Sequence, residues 1–287
     1  MSTLYVSTRS SDSDSDSDSD SAVSLSAALM RGIAADGGLY VPQRIPPLPN
    51  RWRDADSFVD LAVAVLDPWL RADVSDWERA VRGALDFPIP LVEVEPGLSI
   101  LELFHGPTYS FKDFGARTMA RLLSRLRDPS DEPLTILVAT SGDTGSAVAD
   151  GFAGLPGFRV VLLFPDGQVS PVQEQQLVMP RDGVTSLRVA GTFDDCQRMV
   201  KAAFADEKLS GMPLSSANSI NIGRLLPQML FYVEALRQRG GEEAVFVTPS
   251  GNLGNLTGGV MAMQAGLPVH RFVAAHNANR FFPDRLA

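Results

Sequence analysis

Among its 287 residues the chain has one cysteine, three histidines and three lysines. A single cysteine, Cys196, excludes an internal disulfide and any cysteine metal cluster, which leaves helix packing as its expected role. His105, His270 and His276 lack ligand-like spacing, so no metal site is expected; only His105 lies near a candidate site, as a loop hydrogen-bonding or acid/base group. No apolar run reaches the roughly 20 residues that span a bilayer, and the N-terminus lacks the apolar core of a signal peptide. The net charge is −9, and Asp12, Asp14, Asp16, Asp18 and Asp20 account for five of those charges, leaving −4 elsewhere. So mild a balance carries no nucleic-acid footprint. What remains is ordinary globular composition, 45% hydrophobic and 21% charged, with room for two domains and a sizeable core. A cytoplasmic enzyme or binding protein is expected, with no membrane partner.

The shortage of lysine is itself informative. Lys112, Lys201 and Lys208 are the three, against 22 arginines. Where a positive charge suffices, this chain writes arginine, which is unsuited to forming a stable imine. Lys112 stands in Phe104-His105-Gly106-Pro107-Thr108-Tyr109-Ser110-Phe111-Lys112-Asp113-Phe114-Gly115, between a strand-like run over 98–103 and a helix-like run over 113–127. Burial at such a junction lowers an amine's pKa, and a neutral amine is what attack on an aldehyde requires. An ion pair with Asp113, or a lysine snorkelling at a helix start, is the competing explanation.

Along the chain, 4–7 reads as a short strand. Residues 10–21 alternate Ser and Asp, a low-complexity tract with nothing to bury. A flexible surface loop is expected there, with an acidic interaction or phosphorylation site as the alternative. Helices are expected over 23–33 and 57–70, with Pro68 disturbing the last turn of the second. Ser75-Asp76-Trp77-Glu78 has the spacing of a capping box. Together these suggest a small, largely helical N-terminal domain over 1–90. From 91 to 287 the rhythm changes. Strand-like runs at 134–139, 159–164, 186–189, 244–247 and 271–275 alternate with helix-like runs at 113–127, 145–153, 171–179, 193–205, 221–238 and 255–265. Nearly continuous apolar strands imply a sheet covered on both faces, and hence an α/β fold with mostly parallel sheets and flanking helices. In such sheets ligands bind at the carboxyl ends of the strands.

Three further loops follow such runs. Thr140-Ser141-Gly142-Asp143-Thr144-Gly145 offers hydroxyls and helix amides suited to an anion, or is an ordinary capped turn. Pro249-Ser250-Gly251-Asn252-Leu253-Gly254 opens a helix so that several amides can converge on one anion. It matches neither the dinucleotide fingerprint nor a Walker loop, so a phosphate cradle outside those families is favoured over a tight turn. Ser215-Ser216-Ala217-Asn218-Ser219-Ile220-Asn221-Ile222-Gly223-Arg224 provides amides, hydroxyls and an arginine capable of bidentate contacts with an anionic substrate, or else caps a helix beside a surface arginine.

In order and spacing these four motifs resemble the threonine synthase family, fold-type II enzymes dependent on pyridoxal 5′-phosphate and built like the tryptophan synthase β chain. The likeness runs from about residue 22 to residue 279 and includes Asp36-Gly37-Gly38-Leu39-Tyr40-Val41-Pro42. It implies that residues 1–90 form the family's N-terminal domain and that 91–287 form the cofactor-binding region. Lys112 would hold the cofactor aldehyde as an imine, and Gly251, Asn252, Leu253 and Gly254 its phosphate. Ser141, Asp143 and Thr144 would line the cofactor site, with Ser219, Asn221 and Arg224 near the substrate phosphate. The implied reaction converts O-phospho-L-homoserine and water to L-threonine and phosphate, the last step of threonine biosynthesis, in a monomer or homodimer. The resemblance also implies a chain truncated at its C-terminus, the residue facing the pyridine nitrogen lying beyond Ala287. A dehydratase or sulfhydrylase of the same cofactor class, or an inactive phosphoester-binding relative, stands beside that reading.

Overall fold

A computed structural model describes residues 2–10, 22–128, 130–217, 221–249, 253–278 and 284. The Ser/Asp tract beyond Ser10, Ser219, Gly251 and Asn252 therefore lie outside the described residues.

The first ninety residues pair β1 (Tyr5–Ser7) with β2 (Tyr40–Pro42) in antiparallel register and pack them beside α1 (Leu25–Arg31), α2 (Phe58–Leu70) and α3 (Trp77–Ala84). Ser24 and Ser57 cap α1 and α2 by accepting the amides of Ala27 and Asp60. Such caps satisfy donors that the first helical turn leaves unpaired. Pro68 does not cut α2 short, since the helix runs on to Leu70. The capping box expected at Ser75–Glu78 does not form. Asp76 takes the cap position in the left-handed region (φ 50°), its carboxylate faces Arg125 at 3.4 Å, and Glu78 pairs with Arg82 instead. With Asp76 rather than Ser75 at the cap, Glu78 falls at the second helical position instead of the third, out of register for the box.

A second antiparallel pair, β3 (Leu91–Glu95) with β4 (Leu98–Leu101), then leads into the Lys112 stretch. The expected strand is there, but it stands apart from the parallel sheet. That sheet has the order β7-β6-β5-β8, all parallel, formed by β5 (Leu134–Ala139), β6 (Phe158–Pro165), β7 (Val184–Val189) and β8 (Leu214–Ser215). β5 is buried along its whole length. Its alternate side chains explain why. Ile136 and Val138 face a core shared with α4 (Lys112–Leu126) and α5 (Asp143–Phe152), whereas Leu137 and Ala139 face Cys196 and Val200 of α7 (Phe193–Ala205). Both faces are thus covered, and Cys196 packs as expected. Between β6 and β7 lies α6 (Pro171–Val178).

The run expected as one helix over 221–238 is divided. It forms α8 (Ile222–Leu225), a 3₁₀ turn at Leu226–Gln228 holding Pro227, and α9 (Met229–Gln238). Proline lacks an amide hydrogen, and a tighter turn takes up the lost bond. A separate parallel pair, β9 (Ala244–Thr248) with β10 (Val269–Ala274), flanks α10 (Gly254–Gln264). Unlike β5, these two strands expose Val245, Val247 and Val273 on one face.

One continuous core joins the first ninety residues to the parallel sheet and its helices. At its centre Phe114 of α4 is fully buried and meets Phe58, Phe87 and Phe231 edge-on, with centroids 5.9, 4.8 and 4.9 Å away. Phe114→Ala is expected to cost about 3–5 kcal/mol of stability in denaturant unfolding. A loss below about 1 kcal/mol would show that this aromatic cluster does not hold α4 in place.

Candidate active site

Lys112 is the first residue of α4. Its helix start is set locally. Gly106 accepts the amide of Tyr109 at 3.1 Å, with Tyr109 itself at φ 58°, and Ser110 accepts the amides of Lys112 and Asp113 through its hydroxyl and carbonyl. Asp113, fully buried, accepts from the Thr108 amide at 2.9 Å and the Thr108 hydroxyl at 2.6 Å. Burial raises the Asp113 pKa and those two hydrogen bonds oppose the shift. Asp113 is thus engaged with its own loop, and the expected competing ion pair between Lys112 and Asp113 is absent. His105 bonds Glu102 at 2.7 Å and stacks on Phe104, a contact within the loop.

The Lys112 amine lies 4.3 Å over the Phe111 ring, and among the described residues no carboxylate reaches ion-pair distance of it. Burial lowers its pKa to about 8; the positive charge of Arg224 pushes the same way and Asp143 opposes. The amine is therefore expected to lose its proton near pH 8 and to be uncharged above it. Reductive methylation followed at Lys112 against pH measures this, and a profile centred near 10.5 would contradict it. The stability consequence has a definite sign. Because the folded chain holds this proton less tightly than the unfolded one, burial costs stability below about pH 8, and that cost falls as pH rises toward the unfolded value of 10.5.

Arg224, on α8, is 1% exposed. One guanidinium nitrogen donates to the Ala217 carbonyl at 2.7 Å, while its Nε has no hydrogen-bond partner among the described residues. Desolvation alone lowers its pKa to about 10. A buried cation without a counter-ion is costly unless an anion completes it. The helix carrying it lies close against α4, since a Cβ on Gly115 would stand 3.0 Å from the Arg224 carbonyl oxygen. Any side chain there would push the two apart. Asn221 has both polar side-chain atoms engaged: Oδ1 accepts the Gly223 amide at 2.9 Å, and Nδ2 donates to the Leu29 carbonyl at 3.0 Å.

Behind β5, the buried Thr140 hydroxyl accepts the Gly142 and Gly145 amides at 3.0 and 2.9 Å and shapes the turn that carries Ser141, Asp143 and Thr144. Ser141 and Asp143 are exposed and Thr144 is half-buried. Asp143 accepts Gln173 Nε2 at 2.7 Å. Gln173 also closes a capping box with Ser170 at the start of α6, and Gln176, one turn on, reaches the Thr108 carbonyl at 3.4 Å. α6 thereby links the Lys112 loop to the Asp143 turn. Sequence reasoning passed over both glutamines; the Ser-x-x-Gln spacing signalled a helix start but not the loops it would reach.

Leu253, in the left-handed region at φ 55°, caps α10 without a side-chain hydrogen bond, as do Phe111 before α4 and Gly142 before α5, although the Ser110 and Thr140 hydroxyls accept amides in the first turns of those two helices. Serine, threonine or asparagine caps α1, α2, α6, α7 and α8. Gly254 adjoins the turn after Arg224, where its Cβ position lies 3.7 Å from Leu225 and 3.8 Å from Gln228 Nε2. Gln228 donates in turn to the Arg224 carbonyl at 2.8 Å. Contacts therefore run from Gly115 of α4 through Arg224 and Gln228 to Gly254, and Lys112, at the start of the same α4, feels the Arg224 charge. This arrangement brings together a low-pKa amine, a buried cation without a carboxylate partner among the described residues, and a helix start whose cap residue makes no side-chain hydrogen bond. Among the described residues no cluster suited to a metal ion occurs, and no helix is long and apolar enough to cross a membrane.

Residues 90–285 match the family described as pyridoxal-phosphate dependent enzymes, and the chain belongs to that family. More narrowly, residues 4–80 match the threonine synthase N terminus. Threonine synthase of Escherichia coli is 43% identical over 270 residues, covering 91% of this chain and 63% of its own length. Among solved structures, the pyridoxal-phosphate-bound threonine synthase of Brucella melitensis superposes with a TM-score of 0.85 at 38% identity, covering 94% of this chain and 60% of that one. The yeast enzyme gives 0.87 at 35% identity over 99% of this chain and 60% of its own. The fold is thus fold-type II, and the chain spans about three-fifths of the length of these relatives.

Proposed function

We propose that this chain is the cofactor- and substrate-binding portion of a threonine synthase, acting on O-phospho-L-homoserine and water to give L-threonine and phosphate. The observation that carries this is the Lys112 amine, half-buried, lacking a carboxylate partner among the described residues and facing a buried arginine. Pyridoxal 5′-phosphate fits the donor set: an aldehyde needs an uncharged amine, and a phosphate monoester needs free amides at a helix start. The Nε of Arg224, without a partner among the described residues, supplies a further donor for an anion. When bound, the cofactor supplies the electron sink that stabilises negative charge developing on the amino-acid substrate.

The chain's own residues would do the rest. Lys112 would hold the cofactor's aldehyde, and its amine would move protons at the α and β carbons of the substrate. The amides of Leu253 and Gly254, with those of Gly251 and Asn252, hold the cofactor phosphate. Ser141, Asp143 and Thr144 line the cofactor's edge. Arg224, with Ser219 and Asn221, would orient the substrate phosphate that leaves from the γ carbon; water then adds at the β carbon. Since the Asn221 amide is already bonded to Gly223 and Leu29, Arg224 is the principal anion contact and Asn221 acts by holding its helix. Residues 1–90 form the N-terminal domain, and the protein works in the cytoplasm on a small phosphoester as a monomer or homodimer.

Adding pyridoxal 5′-phosphate and O-phospho-L-homoserine to the purified chain should release phosphate, with little ammonia from serine or threonine. The reverse pattern would assign a dehydratase, and binding of the phosphoester without turnover a non-catalytic relative.

A further inference from the structure

Tyr232, on α9, takes no part in the proposed chemistry, yet its hydroxyl touches both elements that flank the proposed phosphate seat. It lies 3.2 Å from the Thr248 hydroxyl at the end of β9. It lies 2.7 Å from Asn255 Oδ1 and 3.1 Å from the Asn255 carbonyl, in the first turn of α10. A phenol has one proton to give and lone pairs to receive. Tyr232 therefore donates toward Asn255 and accepts from Thr248, joining the strand end and the helix start through one buried oxygen. Its ring cannot drift, because it packs edge-on against Phe246 of β9 and Phe272 of β10, with centroids 4.9 and 5.6 Å away. On the third side it meets α10 itself, where a Cβ on Gly259 would stand 2.6 Å from the ring. Three elements are thus registered by one side chain, and the hydroxyl sits at the end of the ring nearest the α10 start.

We propose that Tyr232 is a positioning residue for the anion-binding end of α10, fixing its first turn against the end of β9 so that the leading amides keep the spacing a phosphate needs. This rests on the assignment of the α10 start to the cofactor phosphate. A helix start whose own cap contributes no side-chain bond depends on such an external tie to hold its free donors in one arrangement.

Pyridoxal 5′-phosphate and pyridoxal, which share the aldehyde and differ in the phosphate, separate this role from general support of the fold. Their affinities for the 287-residue chain and for Tyr232→Phe are measured by equilibrium dialysis. The wild-type chain should hold the phosphorylated compound far more tightly. In Tyr232→Phe that affinity should fall at least about tenfold, the scale set by losing a buried hydrogen bond, while pyridoxal affinity stays unchanged. Equal losses for both compounds, or no loss for either, would overturn the positioning role. A wild-type chain that holds the two equally would instead overturn the phosphate assignment, and the proposal with it. Thr248→Val, which keeps the tyrosine and removes one of its partners, is read the same way and decides the matter should Tyr232→Phe fail to fold.

Discussion

Lys112→Ala is expected to abolish the visible absorbance that pyridoxal 5′-phosphate gains on binding this chain, and to lower phosphate release by at least about 10²–10⁴-fold, the range a single proton-moving group commands. The fold should survive the change. Lys112 occupies the first position of α4, where its own amide bonds the Ser110 hydroxyl at 3.2 Å independently of the side chain, and alanine is a better helix former than lysine. The aromatic cluster that anchors the helix is centred on Phe114 and does not include the lysine. Exogenous small amines should restore part of the activity by taking over the lost proton transfers. A variant that keeps both the band and turnover would mean that the aldehyde is held elsewhere.

Arg224→Met should separate stability from function. Met fills a similar apolar volume and removes a guanidinium that is 1% exposed, bonded among the described residues at the Ala217 carbonyl, and depressed in pKa by burial. Replacing a buried ionic group by a well-packed apolar one is often neutral or stabilising, so the melting temperature should not fall. Phosphate release from O-phospho-L-homoserine should nevertheless drop roughly 10- to 100-fold, in line with the about 1.5–3 kcal/mol carried by a hydrogen bond to a charged group. A second effect has a definite sign. Arg224 depresses the Lys112 pKa, so its removal should move the Lys112 titration upward, with burial still holding it below 10.5. A variant that melts lower while turning over normally would make the arginine a structural post and not an anion contact.

The central strands β5 and β6 were legible because they are nearly all apolar, whereas the two-residue β8 ends in Ser215, within a stretch that reads as a polar loop. With Ile136 and Val138 on one face and Leu137 and Ala139 on the other, β5 is apolar at every position but Thr135, and its ends are marked in the sequence. α7 was legible for a different reason: Thr192 and Asp195 cap it locally, so no distant contact sets its start. Lys112 was conspicuous because arginine fills almost every other basic position. By contrast, the Ser75–Glu78 box failed because the helix starts one residue later than the spacing implied, with Asp76 at the cap facing the remote Arg125 and Glu78 paired with Arg82. The sequence pattern left open whether Arg224 was buried or on the surface; its depth comes from the approach of α8 to α4 across Gly115. Gln173, Gln176 and Tyr232 went unnoticed because each acts through a contact with a loop elsewhere in the chain, and no local spacing records which loop that is. Gly251, Asn252 and Ser219 lie outside the described residues, so their parts rest on motif likeness.

Borohydride reduction of the chain loaded with pyridoxal 5′-phosphate, followed by peptide mapping, tests the central claim most directly. With three lysines to choose from, the pyridoxyl group should be found on Lys112, at close to one per chain. Label on the exposed Lys201 or Lys208, or no stable label at all, would contradict it.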